Sequence, residues 1–147
     1  MQWIKDIVSG LIETYDTRDV YEILDYLEIQ IIKKAFINPD VKARLYKDPY
    51  DNYYIYISEN LIEQELKAVL CHESGHIILH DIGCEYYYSS LVNKDKLELQ
   101  ANYFASLLLL DEANFESCYL ENLNLDQLSA YFEVPKELME YRLREVI

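Results

Sequence analysis

The string His72-Glu73-Ser74-Gly75-His76, near the middle of the chain, constrains its structure more than any other stretch. Residues four apart on a helix share one face, so the rings of His72 and His76 can bind the same zinc ion. Glu73 between them can act as a base on water at that ion. The alternative is a surface helix with two unrelated histidines. It is disfavoured because such a string should arise by chance only roughly once in a few hundred chains of this length.

A catalytic zinc usually has three protein ligands and one open position. His80 is the nearest candidate, but on a continuous helix it lies about 12 Å along the axis from His72. One ion with bonds of roughly 2 Å cannot reach all three histidines. We therefore expect His80 to contact a ligand residue without binding the ion, to face the substrate, or simply to be a cation favoured at a helix C-terminus.

Glu98 is the stronger candidate for the third ligand, since it lies near the start of the next long helical pattern. Two-histidine zinc sites often take a glutamate from a following helix. Asn102 lies one turn later on the same face, so its amide can hold a ligand histidine by a hydrogen bond. Acidic residues are abundant, and three other carboxylates compete with Glu98: Asp81, Glu85 and Asp95.

The composition fits one domain with a substantial core. The chain has 147 residues, of which 51% are hydrophobic, and only 3 Gly and 3 Pro, which leaves little room for flexible linkers. We expect one domain over residues 1–147, with a helical part (1–28), a small sheet (29–58), metal-site helices (60–110) and a helical tail (111–147).

The formal net charge of −14 argues against direct binding to nucleic acid, because the phosphates attract Lys and Arg. The same charge suits a basic protein partner and gathers divalent cations near the surface. It is equally compatible with a plain solubilising surface. The charge therefore excludes one class of partner without selecting another.

The three cysteines, Cys71, Cys84 and Cys118, are odd in number and scattered, unlike a disulfide scaffold. A reducing, cytoplasmic setting is therefore expected. The first residues lack the apolar run of an export signal, and no apolar stretch is long enough to cross a membrane. The sequence leaves the oligomeric state open.

Helical periodicity predicts amphipathic helices over residues 3–15 and 19–27, the second capped by Thr17. Residues 29–36, 41–46 and 53–58 are typical of β-strands, and the segment between the last two is typical of a hairpin turn. We expect a small sheet of three antiparallel strands. Either 41–46 or 53–58 is a candidate edge strand to bind a substrate backbone.

The motif helix is predicted to begin at a capping box of Asn60 and Glu63 and to run to His80. Its apolar stripe comprises Ile62, Leu66, Val69, Leu70 and Ile77. An irregular connection over residues 81–94 follows. Its tyrosines can line a substrate pocket, although packing in a half-buried loop is favoured for Tyr86, Tyr87 and Tyr88.

A long helix is predicted over residues 95–110 and a shorter one over 111–120. The last segment, broken by Val134-Pro135, has the spacing of a helix-turn-helix unit. Residues 124–147 nevertheless hold five acidic and three basic residues, whereas a recognition helix should be basic. We therefore interpret this segment as two packed helices and not as a DNA reader.

Two motifs together carry a resemblance to a known family. The stretch from His72-Glu73-Ser74-Gly75-His76 to His80, combined with Glu98-x-x-Ala101-Asn102-x-Phe104-Ala105, resembles the ImmA/IrrE family of small zinc metallopeptidases. The resemblance covers most of the chain. It implies an α+β, zincin-like fold in which His72, His76 and Glu98 bind zinc and Glu73 is the catalytic base.

Members of that family typically cleave a helix-turn-helix repressor encoded beside them in a phage or mobile element. The resemblance therefore implies a zinc endopeptidase with such a repressor as its protein substrate. A donor for the developing oxyanion is needed, and His80 or one of Tyr86, Tyr87 and Tyr88 can serve. The rival hypothesis is a non-catalytic module that sequesters a regulator or toxin, but such a module has no need of Glu73.

Overall fold

A computed structural model describes residues 1–81, 94–115 and 122–146 of the chain. Along the described residues, two α-helices precede a three-stranded sheet and four α-helices follow it. The elements are α1 (Gln2–Tyr15), α2 (Val20–Tyr26), β1 (Gln30–Lys34), β2 (Ala43–Lys47), β3 (Tyr53–Ser58), α3 (Glu63–His80), α4 (Lys94–Leu109), α5 (Leu125–Phe132) and α6 (Lys136–Val146). The α+β class predicted from the sequence is confirmed.

The first two helices form where periodicity predicted them. Helix α1 buries Ile4 and Val8 and ends at Asp16, whose backbone is left-handed. The predicted cap of α2 was wrong, because Asp19 and not Thr17 accepts the hydrogen bond from the Tyr21 amide. The Thr17 hydroxyl instead accepts from the amide of Asp19 itself, so it supports the cap from one position further out.

The sheet is mixed, which corrects the prediction of three antiparallel strands. Its order is β1-β3-β2, with β2 antiparallel and β1 parallel to β3. The central place goes to the most apolar strand, since Ile55 and Ile57 of β3 are fully buried. Strands β1 and β2 carry Lys and Arg, which suit unpaired edges. Consequently β2 remains a candidate edge for a substrate, whereas β3 does not.

Helix α3 begins later than predicted, and the capping box is absent. Ile62 occupies the cap position without a side-chain hydrogen bond, and Asn60 instead donates its backbone N–H to the Ser58 hydroxyl. Ile62 is also 67% exposed, so its assignment to the buried stripe was wrong. Leu66, Leu70 and Ile77 are buried as predicted, and they fix which side of α3 faces the core.

Helix α4 packs closely along α3, and Gly75 permits the approach. A Cβ atom at Gly75 would lie 3.1 Å from the Phe104 ring and 3.2 Å from the Ala101 backbone. Phe104 and Ala101 are fully buried in the same contact. Because Gly75 lies one residue before His76, this contact also sets how far the motif histidines stand from α4.

The C-terminal helices enclose a second, smaller core of Leu110, Leu128, Val134 and Met139. Helix α5 begins with a full capping box between Asn124 and Gln127. The helix predicted over residues 111–120 is instead a 3-10 turn, Glu112–Phe115, within the described residues. The two predicted C-terminal helices are present, and α6 packs against α4.

No helix in the described ranges combines the length and apolar character needed to cross a membrane. Cys71 is buried in α3 as an unbonded thiol. Cys84 and Cys118 lie outside the described residues, so the cytoplasmic setting inferred from the cysteines stays a prediction.

Candidate metal centre

Side chains from α3 and α4 converge on one point beside the α3–α4 contact. The Nε2 atom of His76 lies 2.9 Å from Oε1 of Glu98, and Nε2 of His72 lies 3.0 Å from Oε2 of the same carboxylate. The two Nε2 atoms are 3.2 Å apart. In the part of the chain that the structure describes, these three residues form the group that could hold a metal ion.

The chemistry and spacing of these atoms fit a metal cation. Ligand atoms bound tetrahedrally to zinc at about 2.0–2.1 Å lie roughly 3.3 Å from one another. Two imidazole nitrogens and one carboxylate oxygen are also a ligand set that zinc accepts. The distances within the group are of that size, so little rearrangement is needed for His72, His76 and Glu98 to bind one ion.

The ring of His72 is oriented by Asn102. Its Nδ1 atom lies 2.7 Å from the Asn102 side-chain oxygen, which can only accept. The proton of a neutral His72 ring therefore resides on Nδ1, where it is donated to Asn102. The Nε2 atom keeps its lone pair for a metal ion, as outer hydrogen bonds to ligand histidines commonly arrange.

The ring of His76 is oriented by a longer chain of hydrogen bonds. The side-chain oxygen of Gln100 accepts from Nε2 of His80 at 2.9 Å, which leaves Nδ1 of His80 as an acceptor. That atom lies 3.2 Å from Nδ1 of His76 and can receive its proton. The Nε2 atom of His76 then also presents a lone pair to the centre.

His80 thus contacts a neighbouring histidine and does not join the convergent group. Burial lowers the pKa of His80, which favours the neutral ring that this hydrogen-bond chain requires. Gln100 was missed by sequence reasoning. It lies two residues after Glu98 and is buried despite its polarity, but nothing in the sequence pairs it with His80.

The carboxylate of Glu98 is held in its charged form. When the Nε2 atoms of His72 and His76 also carry protons, their hydrogen bonds keep the pKa of Glu98 far below its usual range. Burial on its own would lower the pKa of His72, but the hydrogen bond to Glu98 and the charge of Glu73 raise it. With lone pairs on both Nε2 atoms and a charged carboxylate, the three acceptors need a cation between them, which a proton or a metal ion can supply.

Glu73 stands next to this group without belonging to it. Burial raises the pKa of the Glu73 carboxyl, an effect partly opposed by His72 and His76. Its side chain lines a groove together with His72 and Asn102. A carboxyl group with a raised pKa, beside two histidines and open to a groove, can both accept and return a proton.

The groove leads away from the centre between α3 and the α5–α6 pair and holds about 560 Å³. We call it the acidic groove, and it is lined by Lys42, Ile62, Gln64, Glu65, Ala68, Val69, His72, Glu73, Asn102, Asp126, Ser129, Ala130, Glu133, Val134, Pro135, Glu137 and Leu138. Its apolar surface comes from both walls. One end of the acidic groove therefore opens directly onto Glu73.

The competing carboxylates lie elsewhere or outside the described residues. Asp81 contacts the Lys47 ammonium at 3.1 Å, on the sheet side of α3. Asp95 is exposed near the start of α4 and takes no part in the convergent group. Glu85 and the tyrosines Tyr86, Tyr87 and Tyr88, predicted as pocket or oxyanion candidates, lie outside the described residues.

Comparison with known proteins identifies the family. A family model described as the IrrE N-terminal-like domain (Peptidase M78) matches residues 24–144. The chain is 36% identical to metallopeptidase ImmA of Bacillus subtilis, over 97% of this chain and 85% of that protein. It is 33% identical to immunity region protein 2 of Bacillus phage phi105, over 92% of this chain and 85% of that protein. The chain belongs to the ImmA/IrrE family of metallopeptidases, as its motifs predicted.

A solved structure supports the fold independently. A Mycobacterium tuberculosis transcriptional regulator superposes on 97% of this chain with a TM-score of 0.68. This chain spans 46% of that one, and the two are 16% identical. At that identity the likeness concerns the fold alone.

Proposed function

We propose that the chain is a zinc-dependent endopeptidase in which His72, His76 and Glu98 hold the ion. The observation that carries the proposal is the convergence of their three ligand atoms, within 4.8 Å of one another, beside Glu73. Zinc bound there would supply a Lewis acid that polarises a carbonyl and lowers the pKa of water. Membership of a metallopeptidase family supports the same reaction.

Glu73 is the general base in this proposal. Its carboxylate accepts a proton from the attacking water and returns that proton to the leaving amine as the peptide bond breaks. A raised pKa favours the first step, because a more basic carboxylate accepts the proton of the attacking water more readily. The acidic groove brings the substrate chain to this carboxyl group.

The substrate that we propose is a helix-turn-helix transcriptional repressor, cleaved to relieve repression. Three observations support it. The family resemblance of the two motifs implies such a substrate, one relative is a phage immunity region protein, and the net charge of −14 suits a basic partner. No contact between this chain and nucleic acid is required.

The decisive experiment compares wild type with Glu73→Gln on a repressor encoded beside this chain's own gene. We expect Glu73→Gln to bind zinc as wild type does, while its rate of repressor cleavage falls at least about 100-fold, as is typical when a general base is removed. Cleavage is followed by gel and mass spectrometry, and zinc by elemental analysis. Glu13→Gln, an exposed change on α1, serves as the matched control.

Equal loss of repressor with wild type and Glu73→Gln would overturn the assignment of Glu73. Tight binding of repressor by both zinc-loaded proteins, with no cleavage by either, would overturn the endopeptidase and favour a sequestering module.

A further inference from the structure

We infer that the acidic groove selects a basic side chain, Lys or Arg, on the substrate segment that flanks the scissile bond, and that Glu133 and Glu137 recognise it. The inference rests on the proposed endopeptidase function and specifies the substrate for that same site. Its basis is the charge and shape of the groove walls.

The acidic groove is continuous with the proposed catalytic carboxyl group. Glu73 and His72 lie at one end of it, and α3 forms one wall from there back towards Ile62. The opposite wall comprises the end of α5 and the start of α6. A peptide whose bond is placed at Glu73 can therefore direct the residues on one side of that bond along these walls.

The groove has room for a segment of peptide and offers it apolar contacts. Its volume of about 560 Å³ exceeds that of one side chain and suits two or three residues. Ala68 and Val69 of α3 line it, as do Ala130 of α5 and Leu138 of α6. The apolar walls can bind the aliphatic stem of a long basic side chain as well as a neighbouring apolar residue.

The acidic residues of the groove differ in how they are already paired. Glu65 contacts the Lys42 ammonium at 3.1 Å, and Asp126 contacts Lys136. Among the described residues, neither Glu133 nor Glu137 makes an ion pair. The carboxylates of Glu133 and Glu137, on one wall of the groove, can therefore pair with a positive side chain of the substrate.

The chain path keeps these two carboxylates on the groove wall. Glu133 ends α5 in a left-handed conformation with φ of 56°, so the chain turns sharply there. Val134 and Pro135 follow, both lining the groove, and Glu137 lies in the first turn of α6. Buried Val134 anchors this turn in the second core, which fixes the wall on both sides of it.

A positive side chain between such walls is favoured, and a negative one is opposed. Glu133 and Glu137 are exposed, so their two charges discriminate between Lys and Glu through an attraction that salt screens. We expect a preference of about tenfold for Lys over Gln at moderate ionic strength, and a smaller preference at high salt. Glu should be disfavoured relative to Gln.

The test uses matched peptides and two readouts. Peptides cut from a cleaved repressor segment carry Lys, Gln or Glu at each position within three residues of the bond. Cleavage by the zinc-loaded wild type gives kcat/KM, and fluorescence anisotropy with zinc-loaded Glu73→Gln gives affinity without turnover. The variant Glu133→Gln/Glu137→Gln is compared with Glu13→Gln/Glu140→Gln, which removes the same charge from exposed positions outside the groove.

We expect the Lys-to-Gln ratio to fall at least fivefold in Glu133→Gln/Glu137→Gln and to stay at the wild-type value in the control. An equal fall in both double variants would mean that net charge alone decides, and would overturn the inference. Efficient cleavage with no preference for Lys at any position would also overturn it while leaving the peptidase intact. A Lys preference in binding with no cleavage would support the groove and overturn the peptidase.

Discussion

The two sides of the histidine pair are held in very different ways. On the α4 side, Glu98 reaches Nε2 of both rings, and Asn102 orients His72 directly. Gln100 orients His76 through His80. On the groove side, the Glu73 carboxyl accepts no hydrogen bond from any described residue. The α4 side is therefore a frame of hydrogen-bonded side chains, formed by Glu98, Asn102, Gln100 and His80, whereas the Glu73 carboxyl has no such bond to a described residue.

The difference separates two jobs that glutamate can perform beside the same histidines. Contact with the rings of His72 and His76 lowers the pKa of Glu98, so its carboxylate stays charged, as a metal ligand must. Burial without hydrogen bonds raises the pKa of Glu73, so it can exchange a proton. The environment, rather than the type of side chain, therefore suits each glutamate to its proposed role.

Among substitutions on the α4 side, Glu98→Ala should lower zinc affinity the most. Removing a ligand should weaken zinc binding by more than the roughly 10- to 100-fold typical of losing an outer hydrogen-bond partner. Asp95→Ala, which removes an exposed carboxylate from the same helix, is the control. Competition with a chromogenic chelator measures both. Unchanged zinc affinity in Glu98→Ala would show that another carboxylate completes the site.

A smaller effect is expected from Asn102→Ala, which removes the acceptor for His72. The ring loses the contact that fixes its proton on Nδ1, so zinc affinity should fall about 10- to 100-fold. Asn114→Ala, an exposed position in the 3-10 turn, serves as the control. Equal zinc affinity in the two variants would show that Asn102 does not support zinc binding through His72.

The smallest effect is expected from Gln100→Leu, because Gln100 acts on His76 only through His80. We expect zinc affinity to fall about tenfold or less. Because Gln100 acts only through His80, the two substitutions should not be additive. Zinc affinity of the double variant His80→Phe/Gln100→Leu should equal that of His80→Phe alone. Additive losses in chelator competition would mean that the two residues act separately.

Much of the frame was predictable, because helical spacing is a short-range rule. The four-residue interval of His72 and His76 predicts a shared face, and the same spacing relates Glu98 to Asn102. The distance along the helix also separated His80 from the ligands. The structure brings the ligand atoms of His72, His76 and Glu98 together and places Asn102 beside His72.

The rest depends on contacts that spacing does not encode. Gln100 meets His80 only because α4 packs on α3 at Gly75, and no local pattern predicts that approach. Asn60 and Glu63 match the sequence motif of a capping box, but the helix begins at Glu63 and the capping hydrogen bonds do not form. The parallel pairing of β1 was missed because alternation predicts a strand and not the direction of its neighbour.

Strand β1 pairs in parallel with β3, although β2 lies between them in the sequence. The sheet therefore contains one pairing between sequence neighbours, β2 with β3, and one between strands farther apart in the chain, β1 with β3. Strands β2 and β3 are linked by a short turn in which the Asp48 carboxylate accepts from the amides of Tyr50 and Asn52. Such local pairing closes a small loop and can form early in folding. Strand β1 must close a longer loop, so its docking, together with α1 and α2, should follow the hairpin and complete the core beneath α3.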